Sequence, residues 1–251
     1  MPVTPAIEII DLFKTYKGAE DPALNGISLS VPMGEIFGLL GPNGAGKTTT
    51  INILCGILRA SSGKAHIAGL EIGRDIEEIK RIIGVVPQDI ALYPSLTARE
   101  NLSFIGSMYG LHGNTLKKRI DESLQIFGLH NFANRTVRTY SGGMKRRLNL
   151  IAGIMHRPKI LFLDEPTVGI DVQSRTVIVD FLKNLNAEGT TIIYTSHYLE
   201  EAEHFCSYIA ILDLGKIIIH GRPLNLIQEN PGSGNLETLF LQLTGRKLRD
   251  H

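Results

Sequence analysis

Residues 41–48 read GPNGAGKT and fit the pattern G-x-x-x-x-G-K-[ST]. In such a loop the glycines let consecutive backbone N–H groups turn inward around phosphate oxygens, with the positive end of the next helix behind them. Lys47 adds a point charge, and Thr48 adds a hydroxyl suited to Mg2+. A second group with chemistry in it is ILFLDE at residues 160–165, an apolar run that ends in two carboxylates. At the carboxyl end of a parallel strand such side chains face the ligand crevice. There Asp164 holds a metal through water, and Glu165 reaches a water in line with a γ-phosphate. The carboxylate pair alone is a weak signal, because buried strands often end in an acidic cap. Together with residues 41–48 it specifies a site for a nucleoside triphosphate and Mg2+.

Groups this far apart in sequence need a rigid scaffold. Five short runs rich in Ile, Val and Leu, at residues 36–40, 82–86, 160–163, 191–195 and 209–212, read as strands buried on both faces of a parallel sheet. Helical patterns at 48–58 and 174–186 alternate with them, which predicts an α/β core. Residues 7–12, 27–31 and 64–67 read as an N-terminal antiparallel sheet beside the main one. From about 98 to 157 no strand is expected. Helices at 102–108, 116–127 and 144–156 make this an inserted α-helical subdomain. Residues 209–212 and 217–220 form a predicted hairpin around Gly215. The NPGSGN run at 230–235 reads as a linker before an amphipathic piece at 236–243. The expected organisation is one domain over 1–229, with its helical insert at about 98–157, followed by a linker and tail over 230–251.

Composition narrows the options further. The 251 residues carry 26 basic and 25 acidic side chains, a net charge of +1, which removes the composition-level case for nucleic-acid binding or a polybasic membrane anchor. Cys55 and Cys206 lie in unrelated segments with no second ligand nearby, so buried thiols are expected rather than a disulfide or a zinc site. The longest stretch free of charged side chains, residues 101–116, carries Asn, His, Ser and Gly and falls short of a span. Glu8 and Asp11 interrupt the place where a signal-peptide core would sit, so a cytoplasmic location is expected.

Between the loop and the carboxylates lies SGGMKRR at residues 141–147. With Tyr140 before it, this segment resembles the LSGGQ signature of ABC-type ATPases, with Tyr for Leu and Met for Gln. Other stations of that family follow in order: Gln88 after the strand at 82–86, Asp171 after Glu165, and His197 after the strand at 191–195. The resemblance spans the chain from Tyr16 onward and implies a P-loop NTPase fold and two subunits sandwiching two ATP molecules with Mg2+. It implies nucleotide contacts by Tyr16 on the adenine, by Gly41, Pro42, Asn43, Gly44, Ala45, Gly46, Lys47, Thr48 and Thr49 around the phosphates, and by Ser141, Gly142 and Gly143 of the other subunit. Catalytic roles fall to Glu165, His197 and Gln88, and metal contacts to Thr48, Gln88 and Asp164. Met144 puts in doubt any contact that needs the glutamine amide.

Tyr-Ser-Gly-Gly-Met followed by Lys145, Arg146 and Arg147 is similar to the ATPases of drug-resistance-type exporters, and residues 236–250 resemble the ending of that branch. The run 145–147 would otherwise read as a solvated helix face. What the resemblance implies is a homodimer, or a dimer with a related subunit, peripheral at the cytoplasmic face of a membrane and powering a separate integral membrane subunit. Ile90, Leu92, Tyr93 and Pro94 are the expected receiving surface for that subunit. A soluble ABC-type ATPase in complex assembly, such as iron–sulfur cluster building, stays open. A P-loop kinase is disfavoured by Glu165 beside Asp164 and by the lack of an evident acceptor lid.

Overall fold

The computed structural model describes residues 4–245. Its first sheet is antiparallel, in the order β2-β1-β4-β5, with β1 at Ile7–Lys14, β2 at Leu24–Val31, β4 at Ser62–Ile67 and β5 at Leu70–Glu71. Along β1 and β2 apolar side chains alternate inward, so Ile7, Ile9, Leu12, Ile27, Leu29 and Val31 are buried on one face. Asp11, at φ 45°, marks a bulge that shifts the β1 register between Ile9 and Leu12.

The second sheet runs β10-β9-β3-β8-β7-β6, with β3 at Ile36–Leu40, β6 at Ile83–Val86, β7 at Ile160–Asp164, β8 at Thr191–Ser196, β9 at Tyr208–Asp213 and β10 at Lys216–Gly221. Strands β9, β3, β8, β7 and β6 are parallel, and β10 closes one edge as the antiparallel arm of the expected hairpin. Every residue of β3, β7 and β8 is buried. That is why these strands read as unbroken apolar runs: successive side chains enter two different cores. Phe37, Leu39, Ile160 and Phe162 join the core under the antiparallel sheet, while Ile36, Leu40, Leu161 and Leu163 join the larger core on the other side.

The helices are α1 Lys47–Leu54, α2 Ile76–Ile82, α3 Ala98–Met108, α4 Gly113–Ile126, α5 Gly142–Ile154, α6 Val172–Ala187, α7 Leu199–Phe205, α8 Pro223–Glu229 and α9 Leu236–Thr244. Helix α1 stops at Leu54, short of the expected 58, because Gly56 takes φ 70° and the N–H groups of Ile57 and Leu58 fold back onto the Asn52 carbonyl. The insert is helical as expected. Thr97 and Glu100 form a reciprocal cap at the start of α3, and α4 and α5 begin earlier than their apolar periodicity suggested, at Gly113 and Gly142. Strand β5 and helices α2, α7 and α8 were not expected. Leu236, Leu239 and Phe240 of α9 are buried in the larger core, and Cys55 and Cys206 are buried free thiols. The expected match over 236–250 lies partly outside the described residues.

Candidate functional site

Strands β3, β6, β7 and β8 deliver their carboxyl ends to one edge of the sheet, with Leu40 level with Ser196 and Asp164 level with Thr195. The loop after β3 depends on backbone that only glycine supplies. Gly41 has φ 147° and Gly46 φ 111°. A Cβ would lie 2.2 Å from the Leu212 carbonyl oxygen at the first and 2.6 Å from the Ala23 carbonyl oxygen at the second. Gly46 also stands at the N-cap of α1 with no side chain to cap it, so the first-turn N–H groups face the loop.

Lys47 is 5% exposed, and its ammonium donates to the carbonyls of Gly41 (2.8 Å) and Pro42 (3.1 Å). Burial lowers its pKa from the ordinary lysine value, and the opposing pull of Glu165 and Asp164 only partly offsets that. Pro42 and Ala45 are buried in the loop wall, while Asn43, Gly44 and Thr48 are exposed at its rim. Thr49 is half-buried and its hydroxyl meets that of Tyr16 at 3.1 Å; the Tyr16 ring, with the Lys14 ammonium 5.4 Å from its centroid, lies beside the start of α1.

The two carboxylates are each 6% exposed. Asp164 Oδ1 accepts the Thr195 hydroxyl at 2.6 Å. Glu165 leaves the strand with φ 48°, an uncommon conformation for a residue with a Cβ, and this turn brings its carboxylate among three of the residues singled out from sequence. His197 Nδ1 lies 3.0 Å and the Lys47 ammonium 3.7 Å from Oε1, while the Gln88 amide donates to Oε2 at 3.2 Å. Phosphate loop, both carboxylates, Gln88 and His197 therefore form one constellation.

The signature segment is not part of it. Ser141 is the N-cap of α5, and its hydroxyl oxygen accepts from the Met144 N–H at 3.2 Å. Ser141 and Gly142 are exposed, and among the described residues no hydrogen bond joins either of them to the phosphate loop. Gly143 is buried for a local reason: a Cβ there would lie 2.5 Å from the Ser174 hydroxyl. Ser174 is held in turn by Asp171, whose carboxylate caps α6 by accepting from the Ser174 N–H (2.8 Å) and hydroxyl (2.9 Å), and these bonds lower its pKa from the ordinary value. Tyr140 is 5% exposed and donates its hydroxyl to the Phe132 carbonyl, so it serves as a core residue with its polar end satisfied.

Two expectations need correction. Residues 145–147 are a solvated face only in part: Lys145 and Arg147 are half-buried and Arg146 is buried. Arg146 is 8% exposed, with its guanidinium on the carbonyls of Gln88 and Val168, and Arg147 donates to the Phe127 carbonyl at 2.8 Å. Arginine tolerates this burial because a fork of N–H groups can satisfy several carbonyls at once. Of the proposed receiving surface, Ile90, Tyr93 and Pro94 are exposed but Leu92 is 8% exposed and packs into the larger core. Buried Asn101 and Asn149 pin this loop from α3 and α5, accepting from the N–H groups of Tyr93 and Ala91.

Sequence reasoning also missed Thr195 and Arg146 as parts of the site. A threonine two residues before a histidine at the end of a buried strand, and an arginine three residues after a glycine pair at a helix start, were the available signals.

The side chains here that could hold Mg2+ are one carboxylate (Asp164), one exposed hydroxyl (Thr48) and one amide (Gln88). Among the described residues there is no cluster of three or more His, Cys, Asp or Glu that could hold a metal. Mg2+ usually takes one or two protein carboxylates together with phosphate oxygens, so sparse, hard donors beside a phosphate loop fit it.

The profile of the family described as ABC transporter matches residues 24–168. The linearmycin resistance ATP-binding protein LnrL of Bacillus subtilis (strain 168) is 52% identical over 203 residues, covering 81% of this chain and 65% of that protein. The daunorubicin/doxorubicin resistance ATP-binding protein DrrA of Streptomyces peucetius is 40% identical over 218 residues, covering 87% of this chain and 66% of that protein. The chain thus spans about two thirds of the length of these relatives. Among solved structures, a dimeric ATP-binding cassette in a post-hydrolysis state bound to ADP and Pi superposes with a TM-score of 0.80 at 28% identity, covering 86% of this chain and 98% of that one.

Proposed function

The chain belongs to the ABC transporter family, and from that premise we propose that it binds ATP with Mg2+ and hydrolyses it as the motor subunit of an exporter. The observation that carries this reading is the convergence of Lys47, Gln88 and His197 on the Glu165 carboxylate, beside Asp164 and at the mouth of the glycine loop. A γ-phosphate entering the loop competes with Glu165 for the Lys47 ammonium and frees the carboxylate to take a proton. Water then attacks the γ-phosphorus: the new P–O bond forms, the bond to the bridging oxygen of ADP breaks, and the water proton passes to Glu165. His197 holds Glu165 in place and meets the charge on the γ-phosphate. Mg2+, held by Thr48, Asp164 and Gln88, would neutralise charge on the β- and γ-phosphates.

Tyr16 stacks on the adenine in this reading, and Gly41, Pro42, Asn43, Gly44, Ala45, Gly46 and Thr49 complete the phosphate cradle. Exposed Ser141 and Gly142, with Gly143 behind them, serve the ATP held by a second copy or a related subunit, an arrangement supported by the dimeric cassette described above. No helix among the described residues is long and apolar enough to cross a membrane. In this reading the membrane step falls to a separate integral subunit docked at the cytoplasmic face, with Ile90, Tyr93 and Pro94 as its contact. Likeness to resistance proteins supports a drug-type cargo. The division into an ATPase domain over 1–229 and a C-terminal segment over 230–251 belongs to the same proposal.

The deciding experiment is Glu165→Gln. Turnover should fall by roughly 10²- to 10⁴-fold while ATP binding is retained, the range for loss of a general base. A variant that hydrolyses ATP at the wild-type rate overturns the assignment.

A further inference from the structure

We propose that Thr195 is the positioning residue of this site, using one hydroxyl to fix both carboxylates at once; the inference rests on the hydrolytic reading above. Thr195 is fully buried on β8, a strand whose every residue is buried. Valine has nearly the same shape and would enter that environment without the cost of desolvating a hydroxyl. The hydroxyl is tolerated because it is used on both sides. Its proton goes to Asp164 Oδ1 at 2.6 Å, in preference to the Leu163 carbonyl, which lies farther off at 3.4 Å. Its oxygen accepts the backbone N–H of Glu165 at 3.0 Å.

That second bond lies where the β7 ladder ends. The last paired position is Asp164 with Thr195, and Glu165 turns out of the sheet with φ 48°. A residue with a Cβ holds such a conformation only where its surroundings fix it. Thr195 supplies the partner that the Glu165 N–H takes after leaving the ladder. The turn directs the Glu165 carboxylate to Gln88 and to His197, which leaves the same strand two residues after Thr195. Strand β8 thus sets Glu165 from both ends, through Thr195 at its backbone and His197 at its carboxylate. Thr195 touches no reacting atom in this scheme; it acts through Asp164 and Glu165.

The test compares Thr195→Val, which keeps the shape and removes the hydroxyl, with Thr195→Ser, which keeps the hydroxyl. Mg2+-dependent turnover, binding of a non-hydrolysable ATP analogue and thermal unfolding without nucleotide are measured on the purified full chain. In Thr195→Val, kcat should fall by roughly 10²-fold, the scale for misplaced reacting groups, while KM and analogue affinity stay within about two-fold. Tm should fall by several degrees, and Thr195→Ser should recover most of both losses. Thr195→Ala carries the same comparison if the valine variant does not fold. Wild-type kcat in a folded variant without the hydroxyl overturns the proposal, and so does a serine variant as slow as the valine one. If the wild-type chain itself hydrolyses nothing, the hydrolytic reading fails separately, and an unchanged Tm in Thr195→Val would then overturn the positioning role too.

Discussion

Two glycine-bearing segments of this chain, 41–48 and 141–143, are built to opposite standards. Around the first, Lys47, Asp164 and Glu165 are nearly sealed from solvent: Lys47 pairs with Glu165 and donates to backbone carbonyls, and Asp164 accepts from Thr195. At the second, Ser141 and Gly142 lie exposed at the start of α5, and the Ser141 hydroxyl caps its own helix. The difference follows from charge. Buried ions must find partners within the fold, so the charged half of the site is complete in one chain. An uncharged helix start has no such requirement and can wait for an anion brought by another molecule.

The largest effect should come from breaking the sealed half. Lys47→Ala removes the ammonium from a buried carboxylate and from the phosphate loop, and ATP-dependent turnover should drop by about 10²-fold or more. Unchanged ATP affinity and turnover would contradict the phosphate-loop reading. A smaller effect separates the two glycines of the exposed half. Gly143→Ala forces a methyl against Ser174 and should cost about 1–3 kcal/mol, read as a Tm lower by a few degrees. Gly142→Ala meets open space and should leave Tm as it is; equal Tm losses in both would show that exposure does not distinguish them. The smallest change is expected at the rim, where Tyr16→Ala should raise the KM for ATP by about 5-fold, the worth of one aromatic contact near 1 kcal/mol. A Tyr16→Ala chain with unaltered KM has its adenine elsewhere.

How legible each half was in the sequence follows the same division. The buried strands were readable because two cores on opposite faces demand unbroken apolar runs, and Asp164 and Glu165 stood out at the end of one of them. Helix α2 was hidden because Ile82, its last residue, abuts the apolar run of β6, and β5 is only two residues long. Arg146 was misread because charge in sequence signals solvent, whereas the Gln88 and Val168 carbonyls that receive it lie far off along the chain. Leu92 was misassigned for the converse reason: an apolar residue in a loop looks available until the Asn101 and Asn149 bonds that turn the loop inward are known. Thr195 is one of four hydroxyl-bearing residues in β8, and its purpose depends on register with Asp164, which one strand read alone does not contain.

The central claim is that the finished half of one chain is completed by the exposed half of another. It is tested most directly by mixing Lys47→Ala with Ser141→Arg chains. Each homodimer carries two identical defects and should fail to retain ATP or vanadate-trapped nucleotide. The mixed dimer joins the intact phosphate loop of the Ser141→Arg chain to the intact signature of the Lys47→Ala chain, which rebuilds one complete site and leaves the other doubly defective. Retention of about one nucleotide per tagged, purified heterodimer is the predicted result. No retention, with dimer formation verified, would contradict it.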